Sequence, residues 1–416
     1  MAFPIDAVRA QFPALAVSDD GRPRLYFDAP GGTQVCLAAI EAIGHHLRAG
    51  TANLGGPFAT SLACGALSRA AHAAAADLIG GDADEIAFGP NMTTLTLALS
   101  RALAQSWQAG DEIVLTRLDH DANVAPWLLA ARDRDVTVRW LDFDLDSGAL
   151  RCDDLAALLS SRTRLVAIGG ASNALGTLND VAAIVEIVRR GSDALIFVDA
   201  VQSVPHVPTD VAALGCDFLA CSPYKFFGPH MGVLWGRTAE MAKIAAYKVR
   251  PATEQPAALR FETGTPSFEA QAGLVATVDY LATLRPPLPV AGDRRTALRA
   301  AMTACADYEA GLTQRLLDGL SRVAGLRLYG PPGVAGRVPT FAFTIAGQAP
   351  SAVAAQLAAH GIHAWAGHFY AVEAIRRLGL ADSGGLVRVG LCHYNTAAEV
   401  DRLVEVLVAI GRGRVA

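Results

Sequence analysis

A lysine and an acid each follow an apolar segment of the chain, and these residue types suggest chemistry on a carbonyl group. The segment Ala194–Val198 leads to Asp199 and then Gln202, while Phe218–Cys221 leads to Lys225. In open α/β sheets, ligands bind at the carboxyl ends of the strands, where these polar groups are expected. Three aromatic residues flank the lysine, and an apolar setting favours the neutral amine that attacks an aldehyde. The plainer alternative is an ordinary loop lysine after a strand.

A second candidate site lies in the segment Phe88–Thr94, which indicates a strand, a turn and the start of a helix. Hydroxyl side chains stand at the predicted helix start. The free backbone N–H groups and the helix dipole at such a position suit a phosphate. The same residue types would also serve as a plain N-cap.

The elements that must position these residues follow an alternating pattern. Short apolar segments alternate with Ala/Leu-rich segments of helical spacing such as Thr94–Gln105, Ala125–Arg132 and Val181–Arg190. This pattern predicts an α/β fold with a mostly parallel sheet covered by helices on both faces. The predicted strands are Glu85–Phe88, Glu112–Leu115, Thr137–Leu141, Leu165–Ile168, Ala194–Val198, Phe218–Cys221 and Gly232–Trp235.

A smaller α+β domain is predicted after the proline-rich stretch Arg285–Pro289. We expect an N-terminal segment (1–24) that packs on this small domain, a large ligand-binding domain (25–285) and the small domain itself (286–416). Thr396 and Glu399 fit a capping box at the start of the last helix. The other elements predicted here are a helix at Asp293–Leu320, strands at Leu326–Tyr329 and Thr340–Ile345, a helix at Ser351–His360 and a strand at Leu386–Leu391.

The bulk composition excludes several classes of protein. The 416 residues are 52% hydrophobic and 18% charged, as expected of a compact globular protein. A net charge of −5 with interleaved signs argues against nucleic acid or a membrane surface as the main partner. Charged residues interrupt every long apolar stretch, so no membrane span is expected. The absence of a secretory signal and seven scattered cysteines without a CxxC pair indicate reduced thiols in a cytoplasmic protein.

Two motifs in the same order resemble a known family. Asp199-x-x-Gln202, followed by Ser222-x-x-Lys225-x-x-Gly-Pro229, resembles the class V, fold type I pyridoxal-phosphate (PLP) enzymes, specifically the cysteine desulfurase-like group. The resemblance runs from the turn Leu25–Thr33 to the segment Arg388–Thr396. It implies the PLP-transferase fold, PLP as cofactor, an amino-acid substrate and a homodimer.

The resemblance also implies a role for each motif residue. Lys225 would hold PLP as a Schiff base and take the Cα proton, Asp199 would pair with the pyridine nitrogen, and His120 would stack on the ring. The remaining cofactor contacts would come from Met92, Thr93, Asn173, Gln202, Ser222 and Tyr224. Thr265 would reach the phosphate of the neighbouring subunit. The substrate would be bound by Arg388, Asn173 and His368.

The sequence departs from the desulfurase pattern in the segment that carries the persulfide cysteine. The corresponding stretch, 361–370, contains no cysteine where the family has a GHHC-like segment. Cys392 is expected on the strand face of Arg388 but roughly 13 Å along the strand, where a small buried thiol is the simpler interpretation. The family's NxHRG segment is altered as well, at Asn53–Pro57. We therefore predict β-elimination without a persulfide, with transamination, epimerisation and a catalytically inactive binding protein as alternatives.

Three rival classes fit the sequence less well. The segment Ala381–Gly385 looks like the nucleophile segment of trypsin-like proteases, but that fold is all-β. A GxGxxG motif between an early strand and helix, which a nicotinamide dehydrogenase needs, is missing. His45 and His46 lack further ligands at metal-binding spacing, so no metal is predicted.

Overall fold

The computed structural model describes residues 3–284 and 293–413 of the chain. The chain opens with α1 (Ile5–Arg9), β1 (Ser18–Asp19), β2 (Arg22–Pro23), β3 (Leu25–Tyr26), α2 (Leu37–Ala49) and α3 (Ala59–Ile79). β1 and β2 form a small antiparallel hairpin. β3 pairs in parallel with a late strand at Ile362–His363, which ties the start of the chain to its last third.

A seven-stranded sheet forms the large α/β part of the fold. Its strands are β4 (Ile86–Gly89), β5 (Glu112–Thr116), β6 (Thr137–Leu141), β7 (Thr163–Gly169), β8 (Leu195–Asp199), β9 (Phe218–Cys221) and β10 (Gly232–Gly236). Their order is β4-β10-β9-β8-β7-β5-β6, and β10 runs antiparallel to both of its neighbours while the other pairs are parallel. The predicted mostly parallel sheet is confirmed.

Helices cover both faces of this sheet. They are α4 (Met92–Leu103), α5 (Ala125–Arg134), α6 (Cys152–Leu155), α7 (Val181–Gly191), α8 (Val211–Leu214), α9 (Thr238–Met241) and α10 (Phe268–Ala282). Successive strand residues belong to different cores: Val166 and Ile196 pack on one face, and Leu165 and Phe197 on the other. Because strand side chains alternate between faces, a strand that is buried on both sides must be apolar along its buried length. Residues 165–168 of β7 and 195–198 of β8 are all apolar.

The last part of the chain builds a second, antiparallel sheet. The elements of this part of the chain are α11 (Arg294–Leu320), β11 (Leu326–Tyr329), β12 (Thr340–Ile345), α12 (Pro350–Ala359), β13 (Ile362–His363), β14 (Trp365–Gly367), α13 (Val372–Arg377), β15 (Leu386–Gly390) and α14 (Ala397–Gly411). The sheet order is β11-β12-β15-β14. α14 starts at the predicted capping box, in which Glu399 N donates to Thr396 Oγ1 (3.2 Å) and Thr396 N donates to Glu399 Oε2 (3.0 Å).

Several predicted element ends differ from the observed ones, and two of these differences concern residues of the predicted site. α4 begins at Met92 rather than Thr94, because the Asn91 side chain accepts the Thr94 N–H and caps the helix earlier. β15 ends at Gly390, where the chain leaves the sheet and Leu391 N donates to Pro339 O (2.9 Å). Cys392 therefore lies beyond the strand and does not share the strand face of Arg388.

The division into an N-terminal segment, a large domain and a small domain stays a prediction. The stretch Arg285–Pro289, on which the boundary was placed, lies outside the described residues. At the N-terminus, Arg9 donates to Tyr394 O (2.7 Å) and pairs with Glu399 (2.8 Å), so this segment contacts the C-terminal part. None of the helices within residues 3–284 and 293–413 has both the length and the apolar character needed to cross a bilayer.

Candidate active site

A cavity of about 900 Å³ opens at the carboxyl ends of the parallel strands. Asp119 follows β5, Gly169 ends β7, Asp199 ends β8 and Ser222 follows β9, and all four line this cavity. The second sheet contributes Arg388 from β15. The remaining predicted residues on the cavity wall are Met92, Thr93, His120, Asn173, Gln202, Tyr224, Lys225 and His368.

Lys225 lies buried on the cavity floor, with only 8% of its surface exposed. Its Nζ donates a hydrogen bond to Pro30 O, and Gln202 Nε2 donates to the same carbonyl (2.9 Å). Burial disfavours the charged amine and lowers the pKa of Lys225 to about 7, with repulsion by Arg388 in the same direction and attraction to Asp199 opposing it. A large fraction of this amine is therefore neutral near pH 7, as nucleophilic attack requires.

Two buried acids, Asp119 and Asp199, interact electrostatically on the cavity floor. Asp199 Oδ1 accepts a hydrogen bond from Val201 N (3.0 Å), and burial raises the pKa of Asp199 to about 6. Asp119 accepts from Gly169 N (3.0 Å) and Asn123 Nδ2 (2.8 Å). Burial and the like charge of Asp199 raise the pKa of Asp119 to about 7. Sequence reasoning missed Asp119, although it directly precedes His120, which was predicted to stack on the cofactor ring.

The N-terminus of α4 faces the cavity beside a hydroxyl group. Asn91 caps the helix, and Met92 N donates to Ser222 Oγ (3.4 Å). Met92 and Thr93 occupy the first turn, where backbone N–H groups have no partner within the helix. Tyr224 lines the same region, with its ring stacked on His230 at 4.8 Å between centroids. These groups could hold a phosphate.

His120 follows β5 and packs its ring against Tyr370, with 5.6 Å between the centroids and 26° between the planes. Its Nδ1 accepts a hydrogen bond from Ala122 N (3.0 Å), so the proton of the neutral ring resides on Nε2. Burial, together with the charges of Lys225 and Arg388, lowers the pKa of His120 to about 4. The imidazole is therefore neutral at physiological pH.

Arg388 is 4% exposed. It contacts the loop that follows β7 of the large sheet. Its Nη1 donates to Asn173 O (2.8 Å), and its guanidinium carbon lies 4.3 Å from the Phe369 ring centroid. Burial lowers the pKa of Arg388 to about 9, and Asp28 opposes this shift. Within the described part of the chain, Arg388 Nε, Asn173 Oδ1 and Asp28 Oδ1 are buried without a partner. Because buried polar atoms are normally hydrogen-bonded, the Arg388 and Asn173 atoms, whose residues line the cavity, indicate a site for a polar ligand.

A tight loop after β14 closes one side of the cavity. Phe369 and Tyr370 both adopt left-handed backbone conformations, with φ of 51° and 57°. Asn173 Nδ2 donates to Phe369 O (2.8 Å), and Asp121 N donates to Tyr370 O (2.7 Å). Such conformations are costly for non-glycine residues and concentrate at functional sites. Tyr370 N donates to His368 Nδ1 (3.0 Å), which orients the predicted substrate-binding histidine.

The seven cysteines all fall within the described ranges, and none of them lines the cavity. Cys216, Cys221 and Cys392 are buried, and burial raises the pKa of each thiol. The thiolate, which is the nucleophilic form of cysteine, is therefore disfavoured at these three positions.

Thr265 is the one predicted site residue that the cavity of its own chain does not include. It is exposed, and Asn53 Nδ2 donates to its Oγ1 (3.5 Å). Of the rival sites, Ser383 lies in an exposed turn before β15 and donates to Leu380 O (3.1 Å). Across residues 3–284 and 293–413, no group of three or more His, Cys, Asp or Glu side chains is arranged to hold a metal ion.

The sheet order, the ligand site at the strand ends and the buried amine define a fold type I, PLP-dependent enzyme. The family model for class V aminotransferases matches residues 25–403. The aminotransferase-like protein FGM3 of Gibberella zeae is 33% identical over 416 residues, covering 98% of both chains. A protein of Pseudomonas putida named "Probable cysteine desulfurase" is 34% identical over 414 residues, covering 96% of both. This chain belongs to the class V aminotransferase family, as the motif resemblance predicted.

Solved structures agree with this assignment. An apo cysteine desulfurase of Thermococcus onnurineus superposes with a TM-score of 0.87 at 26% identity, covering 99% of both chains. The cysteine desulfurase CsdA of Escherichia coli gives a TM-score of 0.84 at 26% identity over the full length of both. The predicted PLP-transferase fold is confirmed.

The cavity residues fit PLP by the chemistry of their donors. The α4 N-terminus and the Ser222 hydroxyl suit its phosphate, the Lys225 amine suits its aldehyde, and the Asp199 carboxylate suits its pyridine nitrogen. The buried Arg388 Nε donor, which lacks a partner, remains for a substrate carboxylate, whereas the unpaired Asn173 Oδ1 is an acceptor and suits a donor such as a substrate ammonium group.

Proposed function

We propose that this enzyme catalyses β-elimination from an amino acid of the cysteine type and releases the sulfur without storing it on a cysteine. The observation that carries the proposal is the buried Lys225 amine, which lies on a cavity wall that contains none of the chain's cysteines. A neutral amine at this place can remove a proton from Cα. Without a thiol on the wall, the expelled sulfur has no protein acceptor there.

In this proposal, the residues on the cavity floor hold the cofactor. Lys225 would carry PLP, whose ring supplies an electron sink for the bond breaking at Cα. Asp199 would hold a proton on the pyridine nitrogen, and His120, neutral because of its lowered pKa, would cover the ring face. The phosphate would be held by Met92 and Thr93 at the α4 N-terminus together with Ser222 and Tyr224.

The substrate would be bound by its carboxylate and oriented by its amine. Arg388 presents a planar fork of donors to the carboxylate, and the free Asn173 Oδ1 beside it is an acceptor for a donor such as the substrate amine, because Asn173 Nδ2 already donates to Phe369 O. The amine end would then lie next to Lys225, which takes the Cα proton while the Cβ–S bond breaks. For cysteine, the balance is one cysteine and one water giving pyruvate, ammonia and hydrogen sulfide.

A product analysis tests this proposal. The holoenzyme is incubated with cysteine, S-methylcysteine, S-benzylcysteine and alanine, with Lys225→Ala as the inactive control. Pyruvate, ammonia and thiol formed in equal amounts support elimination. Accumulation of the aminated cofactor would instead establish transamination, and incorporation of solvent deuterium at Cα without a new product would establish epimerisation. Sulfur found bound to the protein would contradict release without a persulfide.

A further inference from the structure

Large apolar side chains are exposed around the mouth of the cavity. Leu97 of α4 is 37% exposed and Leu129 of α5 is 43% exposed. Trp365 and Tyr370, from β14 and the loop that follows it, are 52% and 66% exposed. All four line the cavity. Two separate regions of the chain, α4–α5 and the segment from β14 to Tyr370, therefore contribute apolar side chains to its outer wall. We call these four residues the apolar rim.

The polar groups that bind an amino acid lie much deeper. Lys225, Arg388 and Asn173 are 8%, 4% and 5% exposed, respectively. An amino acid bound with its carboxylate on Arg388 and its amine at Lys225 therefore has both polar ends on the floor. Its side chain extends outward toward the apolar rim.

Charge complementarity restricts what that side chain can be. The charged residues on the cavity wall are Asp119, Asp121, Asp199, Lys225 and Arg388. Four of them are buried on the floor, and Asp121 is the half-buried one near the rim. The outer part of the described wall thus carries no lysine or arginine, and its exposed imidazole is that of His368. At the start of α5, the wall continues with the apolar residues Ala122, just before the helix, and Ala125 and Pro126 in its first turn.

We infer that the preferred substrate carries a bulky, uncharged apolar substituent on its side chain, such as an aromatic thioether. This inference rests on the proposed function for the orientation of the substrate. A small side chain, such as that of cysteine itself, would end before the rim and leave its apolar surface in water. An aromatic substituent would cover that surface, which is favourable in proportion to the apolar area removed from water.

Two unreactive ligands test the rim separately from the chemistry. 3-(Benzylthio)propanoate and 3-(methylthio)propanoate keep the carboxylate and the thioether but lack the amine, and calorimetry gives their affinities for the holoenzyme. We expect the benzyl compound to bind about tenfold or more tightly, because several additional apolar carbons are buried. Leu97→Gln and Leu129→Gln should each reduce this ratio about threefold or more. Leu47→Gln, which alters a leucine that is 57% exposed on α2 outside the cavity, should leave it unchanged.

The outcomes separate the inference from the proposed function. Equal affinities in the wild type, or an unchanged ratio in both rim variants, would overturn the inference. Rim variants that alter sedimentation of the enzyme but not the ratio would make the rim a subunit contact and also overturn it. A benzyl preference without pyruvate from S-benzylcysteine would contradict elimination while the rim assignment stands. Pyruvate from cysteine without a benzyl preference would support elimination and overturn the inference about the apolar rim.

Discussion

The charged groups on the cavity floor set one another's protonation. Burial lowers the pKa of Lys225 to about 7, far below the ordinary value for a lysine. Arg388 and Asp199 act on this amine with opposite signs, because one is a cation and the other an anion. The arrangement keeps a reactive amine available at neutral pH while a fixed cation remains for a carboxylate.

This arrangement predicts how the cofactor-free protein captures PLP. The capture rate should rise with pH and level off above a midpoint near 7, because the neutral amine is the form that attacks. Arg388→Gln removes a repulsion and should move the midpoint upward, whereas Asp199→Asn removes an attraction and should move it downward. Stopped-flow absorbance of PLP binding across a pH series measures all three midpoints. A wild-type midpoint near 10, or shifts of both variants in the same direction, would contradict this electrostatic account.

At the residue scale, sequence reasoning succeeded where motif residues follow strands. Asp199, Ser222 and Lys225 meet because parallel strands end at one edge of the sheet. Asp119 and Asp28 were missed, since their importance depends on being buried near other charges. Burial of a single acid in a turn leaves no periodic signal in the sequence.

At the scale of elements, the central strands were predicted well because burial on both faces makes them nearly continuous apolar runs, and the edge strand β6 was predicted although it alternates exposed with more buried residues. β6 and β9 begin and end where expected, and the other strands of the large sheet differ by one or two residues. The loop after β14 could not be predicted. Its consecutive left-handed residues, Phe369 and Tyr370, are held by hydrogen bonds from Asn173 and Asp121, which are distant in sequence.

The capping box of α14 supports a prediction about stability. Thr396→Ala removes the acceptor for Glu399 N and should lower the free energy of unfolding by about 1 kcal/mol. Urea denaturation measures this difference. Thr303→Ala is the matched control, because Thr303 is an exposed residue inside α11 and alanine is the better helix former. Equal stability of Thr396→Ala and the wild type would show that the box does not stabilise the helix.

At the scale of the whole molecule, the active site joins distant parts of the chain. The large sheet contributes Lys225 and Asp199, the antiparallel sheet contributes Arg388, and the N-terminal turn contributes Pro30 O. Gly390 N of β15 donates to Phe27 O (2.7 Å), which fastens that turn to the antiparallel sheet. The alternation of apolar and helical segments predicted the large sheet, and strands were also predicted in the small domain, but the way the two sheets meet depends on tertiary contacts between residues about two hundred positions apart.

The family resemblance implies that Thr265 reaches the phosphate of the neighbouring subunit in a homodimer, and Thr265 is exposed and lies outside the cavity of its own chain. Thr265→Val should weaken PLP binding about tenfold or more through loss of a hydrogen bond to a charged group. Lys225→Ala should be inactive. At a PLP concentration that fills the wild type but leaves Thr265→Val largely empty, mixing the two variants should restore activity, since one of the two sites in a mixed dimer would combine an intact Lys225 with an intact Thr265 from the other chain. Activity that does not recover in isolated mixed dimers would place Thr265 outside the neighbouring site.

The most direct test of the central claim is to locate the covalent attachment of the cofactor. The holoenzyme is reduced with borohydride and digested, and the peptide that carries the pyridoxyl group is mapped by mass spectrometry, with Lys225→Ala as the control. The account predicts one label, on Lys225 in the peptide after β9, and none in the variant. A label on another lysine, such as Lys243 or Lys248, or an unlabelled wild-type protein, would contradict it.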